Sequence, residues 1–148
     1  MAVFRIQRRT SLPAAEAWRR LTDWERHAAH VPLTTITVTT PSPSGPGTRF
    51  VARSGLGRAA FDDPMEVVRW VPPAPGVAGY CRLEKRGTFV TGWAEIEVRE
   101  QGGGAEVVWT EDLRVRILPG FLDRPTAWAG RLMFGRAVTG LLERAGNT

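Results

Sequence analysis

The chain has 148 residues, enough to bury one core without staples, so a single domain spanning 1–148 is expected. Apolar residues make up 43% and charged residues 24%, ordinary globular values. The net charge of +5 raises nucleic acid as a partner, but the arginines are scattered, with no like-charge block and no zinc-finger or RNA-motif signature, so none is expected.

Cys81 is the only cysteine, which excludes an intramolecular disulfide and a cysteine-based metal site. Met1 to Ser11 carries Arg5, Arg8 and Arg9 and lacks an apolar stretch of the kind a signal peptide needs. No uncharged apolar run reaches the ~18 residues of a membrane span, so a cytoplasmic protein is expected.

Val3 to Thr10 alternates, with Phe4 and Ile6 on one face and Arg5, Gln7 and Arg9 on the other, the pattern of a half-buried strand. Leu12-Pro13 opens a helix, a position that tolerates proline, and Ala14, Ala17, Trp18 and Leu21 follow at helical spacing. Thr22-Asp-Trp-Glu25 reads as a capping box for a second short helix ending near His30, before Pro32. From there the period is two. Thr34 to Thr40 is β-branched, Pro41 to Gly47 is a loop, and Thr48 to Ser54 is a strand followed by a turn at Gly55-Leu-Gly57. Arg58 to Val71 is a strand interrupted at Asp62-Asp63-Pro64, where proline demands a bulge or an edge. After a turn at Pro72 to Gly76, Val77 to Arg86, Phe89 to Glu100 and Ala105 to Ile117 are three more strands, joined at Gly87-Thr88 and Gly102 to Gly104.

Pro125 to Ala145 is the one long helix. Trp128, Leu132, Phe134, Ala137, Val138, Leu141 and Leu142 share an apolar arc wider than the stripe of ~100° that a surface helix needs. Arg136, Glu143 and Arg144 crowd the other face, and Arg131 falls near the middle of the apolar arc. No βαβ unit appears, which excludes a parallel sheet. The expected architecture is α+β: a seven-stranded curved antiparallel sheet wrapped around the long C-terminal helix, with two short helices after the first strand.

The order of these segments resembles the START/Bet v 1-like superfamily, in its bacterial SRPBCC, polyketide cyclase/dehydrase-like branch. The likeness is carried by Leu12-Pro-Ala-Ala-Glu-Ala-Trp18 with Leu21-Thr-Asp23, by Gly47-Thr48, and by Met65-Glu-Val-Val-Arg-Trp-Val-Pro-Pro73. Gly92-Trp-Ala-Glu-Ile-Glu-Val98 and Val107-Val-Trp-Thr-Glu111 complete it, so that it covers almost the whole chain. The resemblance implies a helix-grip fold with a cavity between sheet and helix. It also implies binding of a hydrophobic small molecule, lipid- or polyketide-like, with catalysis in only some members. A non-catalytic regulatory or protein-interaction module is the alternative.

Alternation assigns the inward residues. Val90, Gly92, Ala94, Ile96 and Val98 face in on one strand, Val107, Trp109, Glu111, Leu113, Val115 and Ile117 on the next, and Cys81, Leu83 and Lys85 on a third. Tyr80 falls outside, which disfavours a catalytic tyrosine. The expected ligand-binding set is Met65, Val67, Cys81, Leu83, Lys85, Val90, Gly92, Ala94, Trp109, Leu113, Trp128 and Leu132. Gly92 and Ala94 leave volume inside the sheet. For Gly92 a point of sheet curvature and close approach of a ligand are both open.

Glu111 is a carboxylate on an otherwise apolar face and needs a partner. Counting from the two turns places it across from Ala94 and then Cys81, which leaves Lys85 further along and makes Arg131 the expected partner. A buried ion pair that fixes the helix, a ligand anchor, and an acid/base pair of Glu111 and Arg131 all stay open. His27 and His30 are three apart and read as surface or pocket-rim residues. With no third ligand marked, neither a metal nor a cofactor is expected. The first strand offers an edge that a second copy could cover as a homodimer.

Overall fold

The computed structural model describes residues 3–31, 33–41, 43–116 and 120–143. The elements are β1 (Val3–Thr10), α1 (Ala14–Leu21), α2 (Trp24–His27), β2 (Thr34–Val38), β3 (Arg49–Ser54), β4 (Phe61–Val71), β5 (Gly79–Lys85), β6 (Val90–Gln101), β7 (Gly104–Val115) and α3 (Asp123–Leu142). Short 3-10 turns follow α2 at Ala28–His30, precede β4 at Gly57–Ala59 and precede α3 at Gly120–Leu122. Ile117, Arg144 and Ala145, assigned above to the last strand and the long helix, lie outside the described residues.

All seven strands form one antiparallel sheet in the order β1-β7-β6-β5-β4-β3-β2. Strands β2 to β7 run as a meander, and β1 joins β7 at the far edge. The sheet curls around α3, which is the helix-grip architecture expected from the sequence. Alternation sets which residues make the core: Val90, Ala94, Ile96 and Val98 of β6 and Val107, Trp109 and Glu111 of β7 are buried, as are Cys81, Leu83 and Lys85 of β5. At the β6–β7 turn, Gly102 and Gly103 adopt φ of 53° and 84°, the left-handed pair that a two-residue hairpin needs and that glycine adopts without strain.

Two local readings change. The capping box does not form: the Thr22 hydroxyl donates back to the Trp18 carbonyl at 2.8 Å, and α2 starts after Asp23 without a side-chain cap. Pro64 sits inside β4, a central strand, but β5 ends at Lys85, opposite Met65. The Pro64 carbonyl accepts from the Arg86 N–H at 2.7 Å, and its ring lies where a Cβ on Gly87 would approach to 2.9 Å. Locally the proline is therefore at an edge. The bulge in β4 falls later, between Val67 and Arg69.

Helix α3 buries a narrower stripe than its sequence suggests. Gly130, Gly135, Ala137, Val138, Leu141 and Leu142 are buried, and Phe134 packs against the core. Gly130 brings the helix close to β1, since a Cβ there would stand 2.7 Å from the Phe4 ring. Trp128 is 67% exposed and Leu132 46%, and Arg131 is exposed beside them, all on an open groove between β1 and α3. The C-terminal end of α3 is held by α1. Arg20 is buried; its guanidinium donates to the carbonyls of Leu141 and Glu143 and pairs with Glu16 at 2.9 Å. It serves as the cap that the last turn lacks in its own sequence.

Replacing Arg20 by methionine keeps the bulk and removes that cap. Because hydrogen bonds to charged groups contribute ~1.5–3 kcal/mol, a loss of about 2 kcal/mol in urea denaturation is expected. A loss below ~0.5 kcal/mol would show that the α3 carbonyls find other partners.

Candidate ligand cavity

A cavity of about 150 Å³ lies between the concave face of the sheet, α2 and α3. Its aromatic walls come from Trp24 and His27 of α2, Phe50 of β3, Trp109 of β7 and Phe134 of α3. Trp24 stacks on Phe50 at 4.8 Å between ring centroids and on His27 at 5.9 Å. The His27 ring lies 5.5 Å from Trp109, which in turn stacks on Phe134 at 5.9 Å. Phe61 and Met133, 37% and 36% exposed, also line it and mark where it meets the surface.

One part of the lining is charged. Lys85 at the end of β5 reaches Asp63 of β4 at 2.6 Å and Glu111 of β7 at 3.9 Å. All three side chains are buried, and the Trp109 indole N–H donates to Glu111 Oε1 at 3.2 Å. Asp63 Oδ1 and Glu111 Oε2 have no hydrogen-bond partner, nor does the Trp24 indole N–H. The contact between β5 and β7 passes across β6 at small residues. Ala94 pairs with Glu111 on one side and Leu83 on the other, and Gly92 pairs with Leu113. A bulkier side chain at Ala94 would fill the space through which Lys85 and Glu111 meet.

Burial pushes Glu111 above its usual 4.5, against the opposing pull of Lys85. Burial likewise raises Asp63 above 3.8, against the same lysine. For Lys85, burial pulls down, but the two carboxyls outweigh it and the net direction is up. Lys85 is therefore the charged member, and Asp63, at 2.6 Å, is its direct counter-ion. Glu111, the more distant and fully enclosed acid, is the one that retains a proton most readily. Since Oε1 accepts from Trp109, that proton belongs on Oε2. His27 Nε2 lies 2.7 Å from the Leu21 carbonyl, which can only accept, so Nε2 carries the hydrogen. Burial lowers His27 and keeps it neutral, with Nδ1 as its acceptor.

Of the expected ligand-binding residues, Met65, Lys85, Val90, Trp109 and Leu113 line the cavity together with Glu111. Val67, Cys81, Leu83 and Ala94 are buried on the same side but belong to the packed core beyond it. Gly92 serves the sheet: at φ 128° its missing Cβ would stand 1.8 Å from the Asp112 carbonyl, so what approaches it is backbone. Trp128 and Leu132 are not at the cavity, and Arg131 is not the partner of Glu111. Lys85 is that partner, and Arg131 stands on the outer groove. Sequence reading missed Asp63 and placed His27 at the surface or the pocket rim. Asp63 was legible from alternation, because it shares a face with Met65 and Val67, but Pro64 broke the pattern. Among the described residues no group of three His, Cys, Asp or Glu could hold a metal ion, and no helix is long and apolar enough to cross a membrane.

The sequence profile of the family described as "Polyketide cyclase / dehydrase and lipid transport" matches residues 1–146. No curated protein matches the chain in sequence. Among solved structures, a protein of Thermus thermophilus superposes with a TM-score of 0.74 at 16% identity, covering 94% of this chain and 93% of its own. A START superfamily protein from Mycobacterium smegmatis gives 0.72 at 11%, covering 95% and 96%. The ZhuI aromatase/cyclase from Streptomyces sp. R1128 gives 0.67 at 14%, covering 98% and 97%. At these identities the likeness is one of fold.

Lys85→Met leaves two buried carboxyls with no cation, and breaking a buried pair this way costs ~3–5 kcal/mol at pH 7. Groups whose folded values lie above 3.8 and 4.5 contribute stability that is present below those values and is lost as pH rises. Removing Lys85 raises both further, so the deficit against wild type should shrink as pH falls from 7 toward 5. Urea denaturation across that range checks it, and a deficit independent of pH would mean that neither acid is strained by the loss.

Proposed function

The chain belongs to the polyketide cyclase/dehydrase and lipid transport family, and from that premise we propose that it binds a hydrophobic or aromatic small molecule in the cavity between sheet and α3. The observation that carries this reading is the cavity itself: aromatic and aliphatic walls with one charged cluster and a pair of hydroxyls, which is how small-molecule sites are built. Packing alone would not put Asp63, Lys85 and Glu111 around open space, because a buried ion pair is an expensive way to hold a core together.

A cyclase or dehydratase reaction is the finer form of the same proposal. Glu111, protonated on Oε2, donates a hydrogen bond to a substrate carbonyl oxygen and can pass it the proton. Lys85 stabilises the negative charge that develops on that oxygen before the proton arrives. The walls fold the reactive chain and exclude water. The rival reading, a non-catalytic regulatory or protein-interaction module, is favoured by the cavity's size: about 150 Å³ is below the ~300–1,000 Å³ of drug-sized ligand pockets. A larger ligand requires the Phe61 and Met133 side of the cavity to move outward.

Native mass spectrometry of protein purified from its own host tests the proposal. A small-molecule adduct is expected on the wild type, and it should be absent from Leu113→Trp, which fills the cavity. An adduct that survives Leu113→Trp unchanged would place the ligand elsewhere, and a bare wild type that also binds none of the aromatic probes named below would sink the proposal.

A further inference from the structure

The lining of the cavity restricts what can occupy it beyond "hydrophobic". Its volume of about 150 Å³ is of the order that holds one benzene ring in a dry apolar cavity. Phe50, Trp24, His27, Trp109 and Phe134 form a continuous run of ring contacts along the cavity, a setting that suits a flat ring better than a long flexible chain. A chain of ten or more carbons exceeds the space unless the Phe61 and Met133 side moves outward.

The charge at the polar end decides the rest. Lys85 is the only lysine or arginine among the lining residues, and two carboxyls already compete for it at 2.6 and 3.9 Å. With Glu111 protonated, Asp63 at 2.6 Å already neutralises Lys85, so an incoming carboxylate would be a second anion at one ammonium, stripped of its own hydration. Like charges brought together at a binding site lower affinity by at least about tenfold. Arg131, which could have balanced it, stands outside the cavity. An uncharged oxygen meets no such conflict. Asp63 Oδ1, Glu111 Oε2 and the Trp24 N–H are buried without partners, so the lining has both acceptor and donor capacity to offer.

We propose that the cavity takes an uncharged, single-ring aromatic compound bearing a hydroxyl or carbonyl oxygen, and turns away carboxylates, fatty acids included. This rests on the reading of the cavity as a ligand site. Isothermal titration of the intact protein at pH 7 with phenol, acetophenone, benzoate, benzylammonium and decanoate separates the two claims. Phenol or acetophenone should bind at least about tenfold more tightly than benzoate, benzylammonium or decanoate. Benzoate or decanoate binding as tightly as the neutral probes, or benzylammonium binding tightest, overturns the selectivity and leaves a ligand site standing. No binding by any probe overturns both. In Asp63→Asn/Glu111→Gln, where Lys85 stands alone, benzoate should gain at least about tenfold relative to phenol. An unchanged ratio in that folded variant overturns the charge argument, and if the variant does not fold the wild-type series decides.

Discussion

One ammonium group holds the concave face of this protein in its present form. Lys85 is buried between Asp63 and Glu111, and neither carboxyl has another cation in reach among the described cavity residues. The arrangement works only if β4, β5 and β7 keep their registers, because a slip of one residue would turn Lys85 to the outer face and leave two acids inside. It also needs β6 to stay thin where the charges meet, which Ala94 provides. The apolar part of the lining could be repacked with modest loss, whereas removing one member of the charged cluster strands the others.

The strands were legible because period two is a strong signal when one face is buried. Alternation on β5, β6 and β7 placed Cys81, Leu83, Lys85, Val90, Ala94, Ile96, Trp109 and Glu111 inside, where they lie. The partner of Glu111 was not legible. Counting from a tight turn at Gly87-Thr88 set Ala94 opposite Cys81, whereas Ala94 pairs with Leu83. A shift of two residues keeps every side chain on its own face, so alternation cannot detect it, yet it moves Lys85 toward Glu111. The expected Arg131 contact followed from that count and from treating all of α3 as equally embedded. Trp128, Arg131 and Leu132 have the spacing of a buried stripe, and nothing local in the sequence says that the sheet does not reach them. His27 was missed for a related reason, since its burial comes from Trp24 and Trp109, one of them distant in the chain.

The fold and the chemistry are specified by different residues. Relatives that superpose over nearly the whole chain share 11% to 16% of its residues, so the grip of sheet on helix tolerates wholesale substitution. What a given member can hold in its cavity depends on the few groups that face the open space. Here those groups are two acids, one lysine, a neutral imidazole, two indoles and the paired hydroxyls of Thr34 and Ser54, and the acids outnumber the cation.

Helix α3 is anchored unevenly. Its last turns bury Ala137, Val138, Leu141 and Leu142 and are tied to α1 through Arg20, while its first turns bury only Gly130. Local stability therefore rises along the helix from its start to its end, and its first turns lift away from the sheet at less cost in buried surface than its last. Met133, at the exposed side of the cavity, lies between those two regions. The same helix thus acts as a fixed wall at one end and a spring at the other, and amide exchange along it measures how stiff that spring is.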